Sequence, residues 1–156
     1  MTVRRAEERD IVTLKKLLME VLNIHAQGRP DIFVPDTTKY TDEELVEMIH
    51  NPDTPIFVYD DNGQVLGYAF CMFRKRVHST NMTDIRTLFV DDLCVDQNAR
   101  GKHVGESIYA YVKNFARENG CYNVTLNVWS FNAKAIGFYE AMGMKPMEYV
   151  MEDILN

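Results

Sequence analysis

Leu93-Cys94-Val95-Asp96-Gln97-Asn98-Ala99-Arg100-Gly101-Lys102-His103-Val104-Gly105 takes an apolar strand through a short basic turn directly into a helix. Such a passage aims consecutive backbone N–H groups, a helix N-terminus and two cationic side chains, Arg100 and Lys102, at one point. That geometry suits a phosphate. Upstream, Ile85 to Val95 reads as one long strand. Downstream, Val104 to Asn119 reads as a helix with Val104, Ile108, Tyr111, Val112 and Phe115 on one face, stopped by Gly120 at C′.

The remaining elements fall on either side of this unit. Thr2 to Ala6 is a short strand, and Asp10 is the expected N-cap of a helix with apolar residues at Ile11, Leu14, Leu17, Leu18 and Val21. Thr41-Asp42-Glu43-Glu44 has capping-box spacing and opens a second helix to about His50. Ile56 to Tyr59 and Val65 to Phe73 flank Asp61-Asn62-Gly63, a hairpin turn signal. Arg74 to Thr83 reads as a polar, basic loop, solvated rather than a partner-binding patch at Arg74 to His78. After the long helix, Tyr122 to Trp129 alternates as a strand. Asn132 to Met142 forms a helix stopped by Gly143, and Lys145 to Asp153 reads as a closing strand. The order β α α β β β α β α β predicts an α/β chain with a mixed sheet and helices on both faces. With no repeat, linker or low-complexity tract, residues 1–156 form one domain.

Composition narrows the function. At 156 residues the chain can bury roughly 70% of the surface its unfolded form exposes. A net charge of −6 disfavours broad nucleic-acid binding. No run approaches the roughly 20 apolar residues of a membrane span and the start is too charged for a signal peptide, so the expected location is cytoplasmic. Cys71, Cys94 and Cys121 and the four histidines have neither disulfide nor metal-ligand spacing, and no metal is expected.

Two stretches carry a resemblance. Arg100 to Gly105, and Asn132-Ala133-Lys134-Ala135-Ile136-Gly137-Phe138-Tyr139-Glu140-Ala141-Met142-Gly143-Met144, are similar to motifs of the GNAT superfamily of acetyl-CoA-dependent N-acetyltransferases, and the element order follows that superfamily over the whole chain. The family's cofactor loop reads Arg/Gln-x-x-Gly-x-Gly/Ala; Arg100 and Gly105 match, while His103 replaces the first glycine. Glycine there permits a positive φ or close backbone approach to a pyrophosphate, and histidine tolerates a positive φ better than most residues.

The resemblance implies a mostly antiparallel GNAT-like sheet, acetyl-CoA as cofactor, and backbone contacts from Arg100, Gly101, Lys102, His103, Val104 and Gly105 to its pyrophosphate. It implies that Leu93, Cys94 and Val95 expose backbone groups to the pantetheine and the thioester carbonyl. It further implies that Asn132 contacts the pantetheine arm and that Tyr139 is the general acid at the sulfur. Read from the residues alone, Asn132 is equally a helix N-cap and Tyr139 equally a core aromatic. A phenol near pKa 10 facing a thiol near 8.5 donates a hydrogen bond rather than a full proton, which is uphill by roughly 2 kcal/mol.

Asp91 and Asp92 are the candidate acceptor-side carboxylates. Alternation aims only one of them at the site unless a bulge intervenes; the competing reading has them facing solvent or pairing with Arg86. An ordinary aspartate lies about 6 units below an ammonium, roughly 9 kcal/mol, so a water relay or ammonium binding is the expected role. Cys94 lacks an activating partner and is not expected to be a nucleophile. Asp31, Asp36, Asp42, Glu43 and Glu44 make the first two helices and their connection acidic, which suits a cationic amine, and Phe33, Tyr40 and Trp129 are pocket candidates. The expected activity is acetyl transfer to a primary amine of a small cationic molecule. A protein or peptide acetyltransferase and a catalytically silent acyl-CoA-binding module are the alternatives, and a homodimer through the late strands is plausible.

Overall fold

The structure, a computed structural model, describes residues 2–75 and 80–155. Five strands, β1 (Thr2–Arg5), β2 (Ile56–Asp61), β3 (Gln64–Lys75), β4 (Arg86–Val95) and β5 (Asn123–Leu126), form one sheet in chain order. Neighbours from β1 to β4 are antiparallel, and β5 joins β4 in parallel. The helices are α1 (Ile11–Gly28), α2 (Asp42–His50), α3 (Val104–Glu118) and α4 (Ala133–Ala141). None of the described helices is long and apolar enough to cross a membrane.

Both faces of the sheet are covered, as the element order predicts. On one face α3 sets Val104, Ile108 and Val112 against Phe57, Leu88 and Val90. On the other, Leu14, Leu17 and Leu18 of α1 and Leu45 of α2 meet Tyr68 and Phe70. Each fully buried large apolar side chain stabilises the fold by roughly 1.5–3 kcal/mol. Gly67 lets α3 approach: a Cβ there would lie 2.8 Å from the Cys94 carbonyl oxygen and 3.0 Å from Ile108 Cδ1.

Local signals act as read at the hairpin, where Asn62 and Gly63 have φ of 52° and 90°, and at α2, where the Thr41 hydroxyl accepts from Glu44 N–H at 3.2 Å. Asp10 differs from its expected role. Its carboxylate does not cap α1; it accepts from the Glu7 N–H at 2.8 Å and from the Arg4 guanidinium at 2.9 and 3.0 Å. Burial raises its pKa, but those donors outweigh burial and hold it below the usual carboxylate range. Arg74 and Lys75 continue β3 instead of opening a loop, because the hydrogen-bonded register with β4 persists to Lys75 and Arg86. Residues 76–79, and with them the middle of the basic loop and the Arg76 to His78 part of the patch, lie outside the described residues.

Two late elements depart from expectation. The strand expected at Tyr122 to Trp129 is confined to Asn123–Leu126, because only Thr87 to Val90 of β4 pair with it. The expected closing strand over Lys145 to Asp153 is not formed: among the described residues this stretch has no strand assignment and no place in the sheet. Among the described residues, no backbone hydrogen bond involves 145–155. The alternation is present, but no neighbouring backbone within the chain supplies a ladder.

Candidate active site

The early end of β5 pairing opens the site. Beyond Val90, Asp91 to Val95 keep β3 on one side and lose β5 on the other. The gap belongs to a cavity of about 2130 Å³, whose lining includes Leu93, Cys94, Val95, Asn127, Trp129 and Tyr139.

At the C-terminal end of β4 the chain turns into α3 through two residues of positive φ, Gly101 at 84° and His103 at 60°. His103 therefore occupies the left-handed region that glycine usually fills, and its Nδ1 lies 3.0 Å from the Glu106 carboxylate. Among the described residues, no N–H from Arg100 to Glu106 finds a backbone or side-chain acceptor; the first helical hydrogen bond is Ser107 N–H to His103 O, at 3.1 Å. A run of unbonded N–H groups at the positive end of a four-turn helix is a cradle for an anion. Arg100, Gly101, His103, Val104 and Gly105 all line the cavity, whereas Lys102 does not. Gly105 packs close: a Cβ there would meet the Phe138 ring at 3.1 Å and Val95 Cγ2 at 3.4 Å.

A bulge decides the carboxylates. The β3–β4 register pairs Phe70 with Asp92 but Cys71 with Val90, leaving Asp91 as the extra residue. Leu88 and Val90 therefore face α3 while Cys94 faces α1, and both carboxylates meet groups on the α1/α2 side. Asp91 accepts from the Lys39 ammonium at 2.7 Å and the Tyr40 hydroxyl at 2.6 Å. Asp92 accepts from the Tyr68 hydroxyl at 2.9 Å. Arg86 pairs with neither; its guanidinium lies over the Phe73 ring at 3.9 Å and donates to Asn119 O. Asp92 as a residue is half-buried, but its carboxyl is enclosed, and burial raises its pKa to about 6 against the opposing pull of Tyr68 and Lys39.

Tyr139 lines the cavity, and its hydroxyl has no hydrogen-bond partner among the described residues. Burial, followed by the negative potential of Asp92, lifts its pKa well above the ordinary phenol value, so it stays protonated. Asn132 caps α4, its side-chain oxygen accepting from Ala135 N–H at 3.2 Å, and also lines the cavity. The Cys94 thiol is buried, directed at Leu17 O from 3.9 Å, and pushed far up by burial. A buried, protonated thiol is a poor nucleophile.

Residues 18–144 match the model of the acetyltransferase (GNAT) family. The chain belongs to that family. It is 24% identical over 143 residues to an uncharacterized N-acetyltransferase, YhfO, of Bacillus subtilis, covering 92% of this chain and 89% of the relative. A mutant of the BH1408 protein from Bacillus halodurans superposes with a TM-score of 0.96 over 100% of both chains at 24% identity. An aminoglycoside acetyltransferase from an uncultured soil metagenomic sample, solved with sisomicin, superposes with a TM-score of 0.71 at 15% identity, covering 99% of this chain and 95% of the other.

On the acceptor side of this GNAT chain, the acidic groups anticipated on α1, α2 and their connection have partners of their own. Asp31 pairs with Arg29, Asp36 holds Asn23, Asp42 pairs with Lys15, and Glu44 closes the α2 cap. None of these, nor Glu43, lines the cavity. Its acceptor-side acidity comes from Asp91, Asp92 and Glu20, and Glu20 Oε2 is buried without a hydrogen-bond partner. Glu20 escaped sequence reading, although an acid at i+3 from Leu17 and i−4 from Ile24, on the apolar stripe of α1, is a usable signal. His25, also missed, joins Phe33 at 5.2 Å between ring centroids, and Phe33 meets Trp129 edge-on at 5.3 Å. Phe33 and Trp129 thus line the cavity as anticipated, while Tyr40 stacks on Phe70 and serves Asp91.

Proposed function

We propose that this chain moves the acetyl group of acetyl-CoA directly to a primary amine of a small cationic molecule. The observation that carries the reading is the unbonded N–H run from Arg100 to Glu106, at one end of a cavity whose acceptor side holds Asp91, Asp92 and Glu20. The cofactor, when bound, supplies an activated acyl thioester. The backbone of Arg100 to Gly105 holds its diphosphate, with Arg100 as flanking charge; Lys102, off the cavity wall, adds only positive potential from outside it. The β4 backbone at Leu93, Cys94 and Val95, free on its β5 side, accepts the pantetheine and polarises the thioester carbonyl. Asn132, fixed by its capping bond, lies along the arm. Tyr139, protonated and without a competing partner, donates a hydrogen bond to the sulfur as charge gathers there.

Asp92 takes up the proton lost by the amine, directly or through water. At a pKa of about 6 it lies roughly 4 units below an ammonium, about 6 kcal/mol, against roughly 9 for an ordinary aspartate. Asp91, already neutralised by Lys39 and Tyr40, orients the acceptor wall. Glu20 and the Phe33–Trp129 rings suit an ammonium on an apolar stem. That one superposable protein is an aminoglycoside acetyltransferase supports a small-molecule acceptor. The single domain over 1–156 and a cytoplasmic location belong to the same proposal.

The size of the cavity, about 2130 Å³, leaves room for one second reading, a peptide acceptor. A panel of polyamines, aminoglycosides, amino acids and peptides with acetyl-CoA, followed by thiol release, separates the two. Turnover on small amines is expected. Turnover on peptides alone moves the assignment to the second reading, and silence across the panel with coenzyme A still bound marks a non-catalytic module.

A further inference from the structure

We propose that Glu20 selects acceptors with a second, non-reacting ammonium about 7 Å from the nitrogen that takes the acetyl group, which makes short diamines the favoured class. The inference rests on the amine acetylation proposed for this cavity and names the chemistry of its acceptor.

Glu20 is the acidic group of the acceptor side that the chain itself leaves unsatisfied. Asp91 is held by Lys39 and Tyr40, and Asp92 by Tyr68. Glu20 Oε2 is enclosed by protein without a hydrogen-bond partner, and among the described residues no cation pairs with this carboxyl. A buried oxygen left without a donor is costly, and folded proteins keep few of them. Three cations that share the cavity are committed elsewhere. Arg29 serves Asp31 and Glu152, Lys39 serves Asp91, and the Arg74 guanidinium lies 3.6 Å from the Phe89 ring centroid. Glu20 lines the cavity, and its terminal torsion is soft, so a small rotation presents either oxygen to a ligand. An ammonium brings full charge and three donors to such a group.

The place of Glu20 sets the spacing. Asp92 and Cys94 lie on one face of β4, two residues and so about 7 Å apart. Leu17 O lies 3.9 Å from the Cys94 thiol; Glu20 follows three residues further along α1, and its charge is among those that raise that thiol. Glu20 therefore stands beside Cys94, displaced along β4 from Asp92.

The two carboxylates then divide the work. The reacting nitrogen approaches the thioester at the β4 backbone and surrenders its proton to Asp92. Glu20 cannot hold that same nitrogen without keeping it charged and unreactive, so it holds another. Beyond Glu20 the wall of α1 is apolar at Ile24, and His25 joins the Phe33 and Trp129 rings. Burial, with the charge of Lys39, lowers the His25 pKa, so a neutral ring there does not repel the second ammonium. A lysine side chain of a peptide offers only an uncharged amide at that separation, which sets Glu20 against the peptide reading.

The test compares cadaverine with the amino alcohol of the same chain length, in which a hydroxyl replaces one amine, on the wild type and on Glu20→Gln. The wild type is expected to favour the diamine by about a hundredfold in kcat/KM, with the difference in KM, and the substitution to bring the ratio near one. Ethylenediamine, too short to span both carboxylates, is expected to lose the advantage. Coenzyme A affinity by calorimetry reports that the variant is folded, and Glu20→Leu, which suits the apolar stripe of α1, is the second variant. Equal turnover of diamine and amino alcohol by the wild type overturns the proposal. So does a preference that survives both substitutions. Calorimetry of the two amines against the coenzyme A complex reads the same preference without turnover. A chain that binds the diamine through Glu20 yet releases no thiol keeps this proposal and fails the enzymatic one; acetylation of both amines alike does the reverse.

Discussion

Replacing Asp92 with asparagine removes a charge that the fold holds at a cost. Its carboxyl, raised from 3.8 to about 6 by burial, is harder to ionise in the folded chain than in the unfolded one. Between those two pH values the folded state carries a proton that the unfolded state has released, so stability falls as pH rises through the window. The penalty is absent below the unfolded value and complete above about 6. The shift corresponds to about 3 kcal/mol at pH 8, an upper bound because part of the residue remains open to the cavity. Asparagine still offers an oxygen to the Tyr68 hydroxyl, so Asp92→Asn should stabilise the chain by up to that amount at pH 8 and by almost nothing at pH 4. Urea unfolding of both proteins at pH 4, 6 and 8 reads the difference, provided the slope with denaturant is unchanged. The same variant should lose most of its turnover while keeping coenzyme A affinity, a stability–function trade expected of a strained catalytic group. A stability difference that does not grow from pH 4 to pH 8 would refute the raised acidity, and full turnover would remove Asp92 from the proton path.

Other perturbations separate binding, chemistry and fold. Tyr139→Phe should lower turnover by on the order of a hundredfold while calorimetry finds coenzyme A affinity unchanged; an equal loss of both assigns the phenol to binding. Gly105→Trp should abolish coenzyme A binding, since even a Cβ there sits 3.1 Å from Phe138, and undiminished heat of binding counts against the cradle. Thr41→Ala should cost about 1 kcal/mol in thermal or urea unfolding through loss of the α2 cap, with activity per folded molecule unaltered.

Much of the architecture was legible because its signals are local. The Thr41 box, the Asn62-Gly63 turn and the stop at Gly120 each depend on a few consecutive residues, and all three act as read. The left-handed His103 was legible for the same reason, since a loop position either accepts a positive φ or does not. Asp10 was misread because a carboxylate near a helix start has competing donors, and Arg4, brought close by the fold, outbid the helix.

What stayed hidden belongs to pairs of segments. Adjacent aspartates in an apolar strand gave no means of telling which one faces the site, because a bulge is a relation between two strands. The extra residue at Asp91 turns an either-or into both, and this single irregularity gives Asp91 to Lys39 and Tyr40 while leaving Asp92 with Tyr68. The acidic groups of α1, α2 and their connection lie off the cavity for partly similar reasons: Asp36 holds Asn23 and Asp42 pairs with Lys15, which the fold brings near, whereas Asp31 is taken by Arg29, only two residues before it. The alternation of Lys145 to Asp153 is the clearest case. A period of two encodes the capacity to be a strand, but a strand exists only against a second backbone, and within one copy that backbone is missing.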